Sequence, residues 1–162
     1  MKKKGGSEES ALSRALSILS RRDYSEAEVR EKLLSRGYPE EEVASTISRL
    51  KELGYIDDRR LALFSARYRL ENLGQGRRKV WEYLTRRRIP REIIEEVLDE
   101  ACREVDVVER GVALLERRHA RRPFDILEEK GKIFRYLAGR GYTPEEVRKI
   151  IERFEEKERG SR

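Results

Sequence analysis

Apolar residues recur along the chain at helical spacing, and three stretches carry the same pattern without a gap over 22 positions: residues 29–50, 80–101 and 133–154. In each, an apolar side chain stands at the first position and at +4, +9, +14 and +18. These are Val29, Leu33, Tyr38, Val43 and Ile47, then Val80, Leu84, Ile89, Ile94 and Leu98, then Ile133, Leu137, Tyr142, Val147 and Ile151. Residues four apart share one helix face, so each stretch predicts two helices, with the +9 residue plugging the corner between them. Offsets of 51 and 53 residues between copies mark a repeat architecture, with a period suited to three helices per unit.

The corners carry turn chemistry. Arg36-Gly37-Tyr38-Pro39 stops one helix at a glycine able to take positive φ and restarts the next at proline, and Arg140-Gly141-Tyr142-Thr143-Pro144 repeats the device. The middle copy reads Arg87-Arg88-Ile89-Pro90, so either that turn is built differently or Arg88 is held left-handed at a cost of about 1 kcal/mol or more. Ser25 with Glu28 and Thr143 with Glu146 have the spacing of capping boxes, and Asp57 is a good N-cap. One further amphipathic helix precedes each pair, over 11–21, 58–72 and roughly 106–120. No strand pattern occurs. The expected fold is all-α, an elongated, slightly curved array of three tandem three-helix modules. Their expected bounds are 10–54, 55–104 and 105–157, with residues 1–9 flexible and 158–162 frayed.

Composition sharpens this picture. The 38 basic and 32 acidic residues leave a net charge of +6, and only 37% of the chain is hydrophobic, which suits a stacked array better than one sphere. Well-mixed charge and helical periodicity argue against disorder. No stretch approaches the roughly 18 apolar residues of a membrane span, and Met1-Lys2-Lys3-Lys4-Gly5-Gly6 leads into a polar segment, so a cytoplasmic location is expected. Cys102 and His119, each the single residue of its kind, make neither an internal disulfide nor a common zinc set, and no cofactor is expected.

Charge is segregated along the chain. Residues 77–91 hold seven cations against Glu82, residues 92–109 hold eight carboxylates against Arg103, and residues 110–122 hold five cations against Glu116. Arginine predominates in both cationic stretches, which suits bidentate contact with phosphate or carboxylate. The candidate contacts are Arg77, Arg78, Lys79, Arg86 and Arg87, with Arg117, Arg118, Arg121 and Arg122 as a second patch. The competing reading is a solvated surface whose charges pair with neighbouring helices. Helix-turn-helix readout of bases is disfavoured, because the third helix of each module carries carboxylates at or near its start: Glu40-Glu41-Glu42, then Arg91-Glu92 leading to Glu95-Glu96, then Glu145-Glu146. Nothing resembles a nucleophile beside a base, and Gly74-Gln75-Gly76 is too short to cradle a phosphate, so no enzyme is expected. Those glycines read as a helix end and turn, Trp81 as a packing residue, Cys102 as partly buried and His119 as a surface residue.

The run Ala15-Leu16, Arg21, Ser25, Glu28-Val29, Lys32-Leu33 and Arg36-Gly37-Tyr38 strongly resembles the opening of the bacterial RecX regulators. Leu53-Gly54-Tyr55-Ile56-Asp57-Asp58 resembles that family's junction into its second module. The resemblance extends over residues 10–154, with Arg140-Gly141-Tyr142 as the anchor in the third module and Arg88 in place of a usual glycine. It implies a modulator of the RecA recombinase. Such a protein binds the RecA filament on single-stranded DNA, suppresses ATP hydrolysis and strand exchange and favours disassembly, acting as a monomer with weak direct DNA binding. Two alternatives stand beside it: a sequence-indifferent DNA-binding module that needs no RecA, and a helical adaptor for an unrelated protein.

Overall fold

The computed structural model describes residues 9–161; the expected flexible segment before residue 9, and Arg162, lie outside the described residues. Nine α-helices and no strand occur among those described. They are α1 (Ala11–Leu19), α2 (Glu26–Leu34), α3 (Glu40–Glu52), α4 (Asp58–Glu71), α5 (Arg77–Arg86), α6 (Arg91–Glu104), α7 (Val107–Arg121), α8 (Ile126–Gly139) and α9 (Pro144–Gly160). The chain is thus all-α, in three tandem three-helix modules. α1 ends at Leu19, two residues short of expectation, and α9 continues to Gly160. The nearly continuous helical pattern between the second and third modules breaks at Val105, which is extended, and Asp106, which caps α7 by accepting from the Glu109 amide.

Of the 15 repeat positions, 14 are buried, and Tyr38, half-buried, donates its hydroxyl hydrogen to the Glu9 carbonyl at 2.7 Å. Both expected capping boxes close, Ser25 with Glu28 and Thr143 with Glu146. The corner turns all use one device: φ is +88° at Gly37, +54° at Arg88 and +94° at Gly141. Arg88 therefore takes the left-handed form, and its side chain reaches Glu31 at 3.3 Å.

Compactness divides the chain differently from the repeat. The first unit comprises the described residues up to Leu61 together with Arg87–Ile89. Its core is Ala11, Ala15, Val29, Leu33, Val43, Ile47, Leu50 and Ile56, with Tyr24 and Tyr38 packed against it. Asp58 belongs to it because its carboxylate accepts from the Glu26 amide at 2.9 Å, tying the start of α4 to the start of α2. Arg87 belongs to it for the same kind of reason. Its guanidinium donates to Glu28 at 2.8 and 3.1 Å and to the Asp23 carbonyl at 2.8 Å, and the two side chains are only 13% and 15% exposed. Burial alone would raise the Glu28 carboxyl, but hydrogen bonds from Arg87 and the Ser25 amide hold it below the ordinary carboxylate value.

The second unit comprises Ala62–Arg86 and the described residues from Pro90 onward. Its middle is a backbone clasp between the loop before α5 and the turn before α9. The Gly76 amide donates to the Arg140 carbonyl at 2.8 Å, the Arg78 amide to the Gly141 carbonyl at 3.2 Å, and the Arg140 guanidinium to the Leu73 carbonyl. The buried Tyr142 hydroxyl donates to the Gly74 carbonyl at 2.8 Å, and burial pushes this phenol up to about 12. A Cβ on Gly76 would lie 2.3 Å from the Gly141 carbonyl carbon, so the clasp accepts no side chain there. The expected turn at residues 74–76 is thus also a docking surface for backbone. The buried apolar side chains of this unit include Leu70, Val80, Leu84, Ile94, Leu98, Leu115, Leu137, Ile151 and Phe154.

Candidate nucleic-acid interface

The nine cations singled out from the sequence meet different fates. Arg77 pairs with Asp99 at 2.6 Å. Burial opposes its charge, yet the hydrogen bond to Asp99, with the Cys102 thiol adjoining, leaves the guanidinium above its ordinary value. Arg78 pairs with Glu82 and donates to the Ala138 carbonyl at 2.6 Å, and Lys79 shares Glu82 at 3.3 Å. Arg87 is consumed by Glu28. Among the described residues only Arg86 of this stretch is exposed without an ion pair. The middle cluster, the densest cationic run in the sequence, is largely neutralised by its own protein.

The second patch is not. The end of α7 places Arg117, Arg118, Arg121 and Arg122 at i, i+1, i+4 and i+5, along the groove between α7 and α8. That groove encloses about 430 Å³, and Glu129 is the one carboxylate among the residues lining it. Arg117, Arg121 and Arg122 are exposed, and none of the four makes an ion pair among the described residues. Arg118 lies over the Tyr136 ring at 4.7 Å. Like charges at i, i+4 disfavour a helix by a few tenths of a kcal/mol per pair, and the C-terminal end of the helix dipole offsets part of that. The patch therefore keeps its charge outward.

Where its first and second helices meet, each of the three modules sets a cation over an aromatic ring. Arg22 and Lys32 cover Tyr24 at 4.0 and 5.1 Å, Arg69 covers Tyr83 at 3.3 Å, and Arg118 covers Tyr136. Sequence reasoning missed this, although a signal existed: the position three residues into each repeat holds Lys32, Tyr83 and Tyr136. It also missed Arg140, whose contribution is structural.

His119 departs from the surface role expected of it. It sits edge-on to Phe124 and Phe154 with centroids 4.9 and 5.8 Å away, and its Nδ1 accepts from the Phe124 amide at 3.3 Å, because the α7–α8 loop folds back over it. Cys102 is half-buried, and Trp81, half-buried too, has Arg91 6.0 Å from its ring. Among the described residues no group of three His, Cys, Asp or Glu could hold a metal, and no helix is long and apolar enough to cross a membrane.

Comparison with known proteins agrees with this module structure. Family models for the first, second and third three-helix domains of RecX match residues 11–50, 57–98 and 104–151. Regulatory protein RecX of Thermus thermophilus is 39% identical over 132 residues, 82% of this chain and 83% of that protein. Its counterpart from Trichlorobacter lovleyi is 33% identical over 143 residues, 86% of this chain and 92% of that one. The crystal structure of RecX from Lactobacillus salivarius superposes with a TM-score of 0.78 at 23% identity, covering 90% and 94% of the two chains, a likeness of fold. With all three modules matched in order, the chain belongs to the RecX family of regulatory proteins.

Proposed function

We propose that this protein is a negative regulator of RecA. It binds the filament that RecA forms on single-stranded DNA, suppresses ATP hydrolysis and strand exchange, and promotes disassembly, acting as a cytoplasmic monomer without enzymatic activity of its own. Membership of a regulatory family supports the role. The observation that carries the mode of contact is the α7–α8 groove, four arginines against one carboxylate, with charge left to meet a polyanionic assembly. Arg117, Arg118, Arg121 and Arg122 are its contacts, with Arg86 beside them in role. Arg77, Arg78 and Lys79 contribute only through hydrogen-bonding capacity left after their internal pairs, and Arg87 acts as a structural residue. Contact of this kind is salt-sensitive and indifferent to base sequence.

The test is a titration of this protein into the DNA-dependent ATPase reaction of RecA. Substoichiometric amounts should lower hydrolysis. The triple variant Arg117→Glu, Arg121→Glu, Arg122→Glu should lose that effect while keeping its helical content, since all three side chains are exposed. Hydrolysis unchanged at saturating wild-type protein removes the proposal.

A further inference from the structure

A second cationic groove lies in the first module and shares no residue with the patches on α5 and α7. It runs between α1 and α2 and encloses about 220 Å³. Arg14, Arg21, Lys32 and Arg36 line it, with the hydroxyl-bearing Ser17 and Ser35, and no carboxylate is among its lining residues. Arg21 and Arg36 are exposed and unpaired among the described residues, whereas Arg14 reaches Glu9 at 3.4 Å. Glu28, the α2 carboxylate that acts on the Tyr24 phenol, is already engaged by Arg87. Arg22 and Lys32 cover the Tyr24 ring, and a hydrogen bond from Arg22, with the charge of both cations, lowers this phenol below its ordinary value.

These features narrow the ligand. Three or four cations converging with hydroxyl groups suit an oxyanion of distributed charge, and arginine's fork suits phosphate. The volume falls below the roughly 300 Å³ at which pockets for whole small molecules begin, which fits a phosphate group and adjoining sugar better than an entire nucleotide. The cations already over Tyr24 leave its ring poorly placed for stacking on a base, so the contact is to backbone and not to base. A groove between two helices of one small module admits a bent single strand more readily than a duplex.

We infer that the α1–α2 groove is a binding site for the phosphodiester backbone of single-stranded nucleic acid, held by Arg21, Lys32 and Arg36. The site needs no recombinase, so its test is independent of the ATPase titration, and either idea can fail alone.

The experiment measures fluorescence anisotropy of a labelled oligothymidylate with the full chain and no recombinase, across a salt series. Each lost phosphate contact on a single strand removes about 0.7 from the slope of log K against log salt. The double variant Arg21→Gln, Arg36→Gln should therefore flatten the slope by about 1.4 and weaken binding about 25-fold at 0.1 M salt. Lys32→Gln should flatten it by about half as much, with circular dichroism unchanged in both. Three competitors at matched ionic strength separate the possible sources of the anion. Unlabelled oligothymidylate should displace the probe, while inorganic phosphate and polyglutamate should do no more than chloride. Affinity and slope unchanged in the double variant, loss confined to an Arg121→Gln, Arg122→Gln control, or displacement by phosphate or polyglutamate as effective as by DNA, would each overturn the assignment.

Discussion

Three glycines separate backbone strain from close approach, and alanine at each gives a quantitative prediction. Gly37 has φ +88° and open space where a Cβ would stand, so alanine there meets strain alone. Left-handed backbone costs an L-residue about 1–2 kcal/mol, and a less flexible unfolded chain returns about 0.4–1, leaving a net loss near 1 kcal/mol. Gly76 is not in the left-handed region, but its added Cβ would sit 2.3 Å from the Gly141 carbonyl group and 2.5 Å from the Tyr142 amide nitrogen. Backbone cannot swing aside as a side chain can. Overpacking costs about 1–3 kcal/mol, and loosening the 2.8 Å Gly76–Arg140 hydrogen bond adds about 1, so Gly76→Ala should cost about 2–4. Gly141 combines both problems, with φ +94° and the Lys79 amide nitrogen 2.6 Å from its Cβ position, and should lose about 3–5. Urea unfolding followed by circular dichroism reads all three, through midpoints at constant slope. A Gly76→Ala variant no less stable than Gly37→Ala would refute the clasp as the element that joins α5 to the α8–α9 turn.

Three further outcomes follow from the same geometry. Arg88→Gly removes about 1–2 kcal/mol of strain but adds about 0.5–1 of unfolded-state flexibility and loses an exposed pair with Glu31, so its stability should stay within about 1 kcal/mol of wild type in the same urea assay. Glu28→Gln leaves Arg87 poorly paired and should cost about 1–3 kcal/mol at pH 7, below the full value for a buried pair because both side chains retain some exposure. The depressed Glu28 carboxyl contributes stability that is present above the unfolded value of about 4.3 and lost as pH falls through its lower folded value, so wild type and variant should converge once the solution is acidified past that folded value. Tyr142→Phe should cost about 1–2 kcal/mol at pH 7 by stranding the Gly74 carbonyl. Because burial raises the folded phenol to about 12, that tyrosine's contribution is complete below pH 10 and declines from there to about 12, a decline the phenylalanine variant should lack.

Most of the fold was legible because the repeat is a burial pattern. A side chain four residues from another on one helix face has to be covered, and the three copies solved that problem identically at Leu33, Leu84 and Leu137, all fully buried. Capping boxes were legible for a related reason, since they involve residues three apart. The clasp was not. It depends on Gly76 lying against Gly141, 65 positions further along the chain, and nothing local distinguishes a glycine needed for close approach from one that merely ends a helix. The two modules that the repeat separates at about residue 105 therefore share one compact unit, while Arg87 leaves its own module to join the first unit.

Charge obeys different logic, and for that reason the candidate contacts divided. A local run of cations predicts an outward field only if no carboxylate from elsewhere in the chain reaches it, and sequence counts neighbours along the chain, not across it. The run at residues 77–87 meets Asp99 at 22 residues' separation and Glu28 at 59, and so spends much of its charge internally. The run at residues 117–122 meets only Glu129 at its groove, and the groove at α1 and α2, scattered in sequence as Arg14, Arg21, Lys32 and Arg36, meets none among its lining residues. The less conspicuous clusters are the ones whose charge is left largely unpaired within the described residues. Neutralising Arg121 and Arg122 should therefore flatten the salt dependence of DNA binding in solution more than neutralising Arg77 and Arg78, even though the latter lie in the more basic stretch. Equal effects from the two pairs would mean that the exposed ion pairs at Asp99 and Glu82 give way at little cost when phosphate arrives.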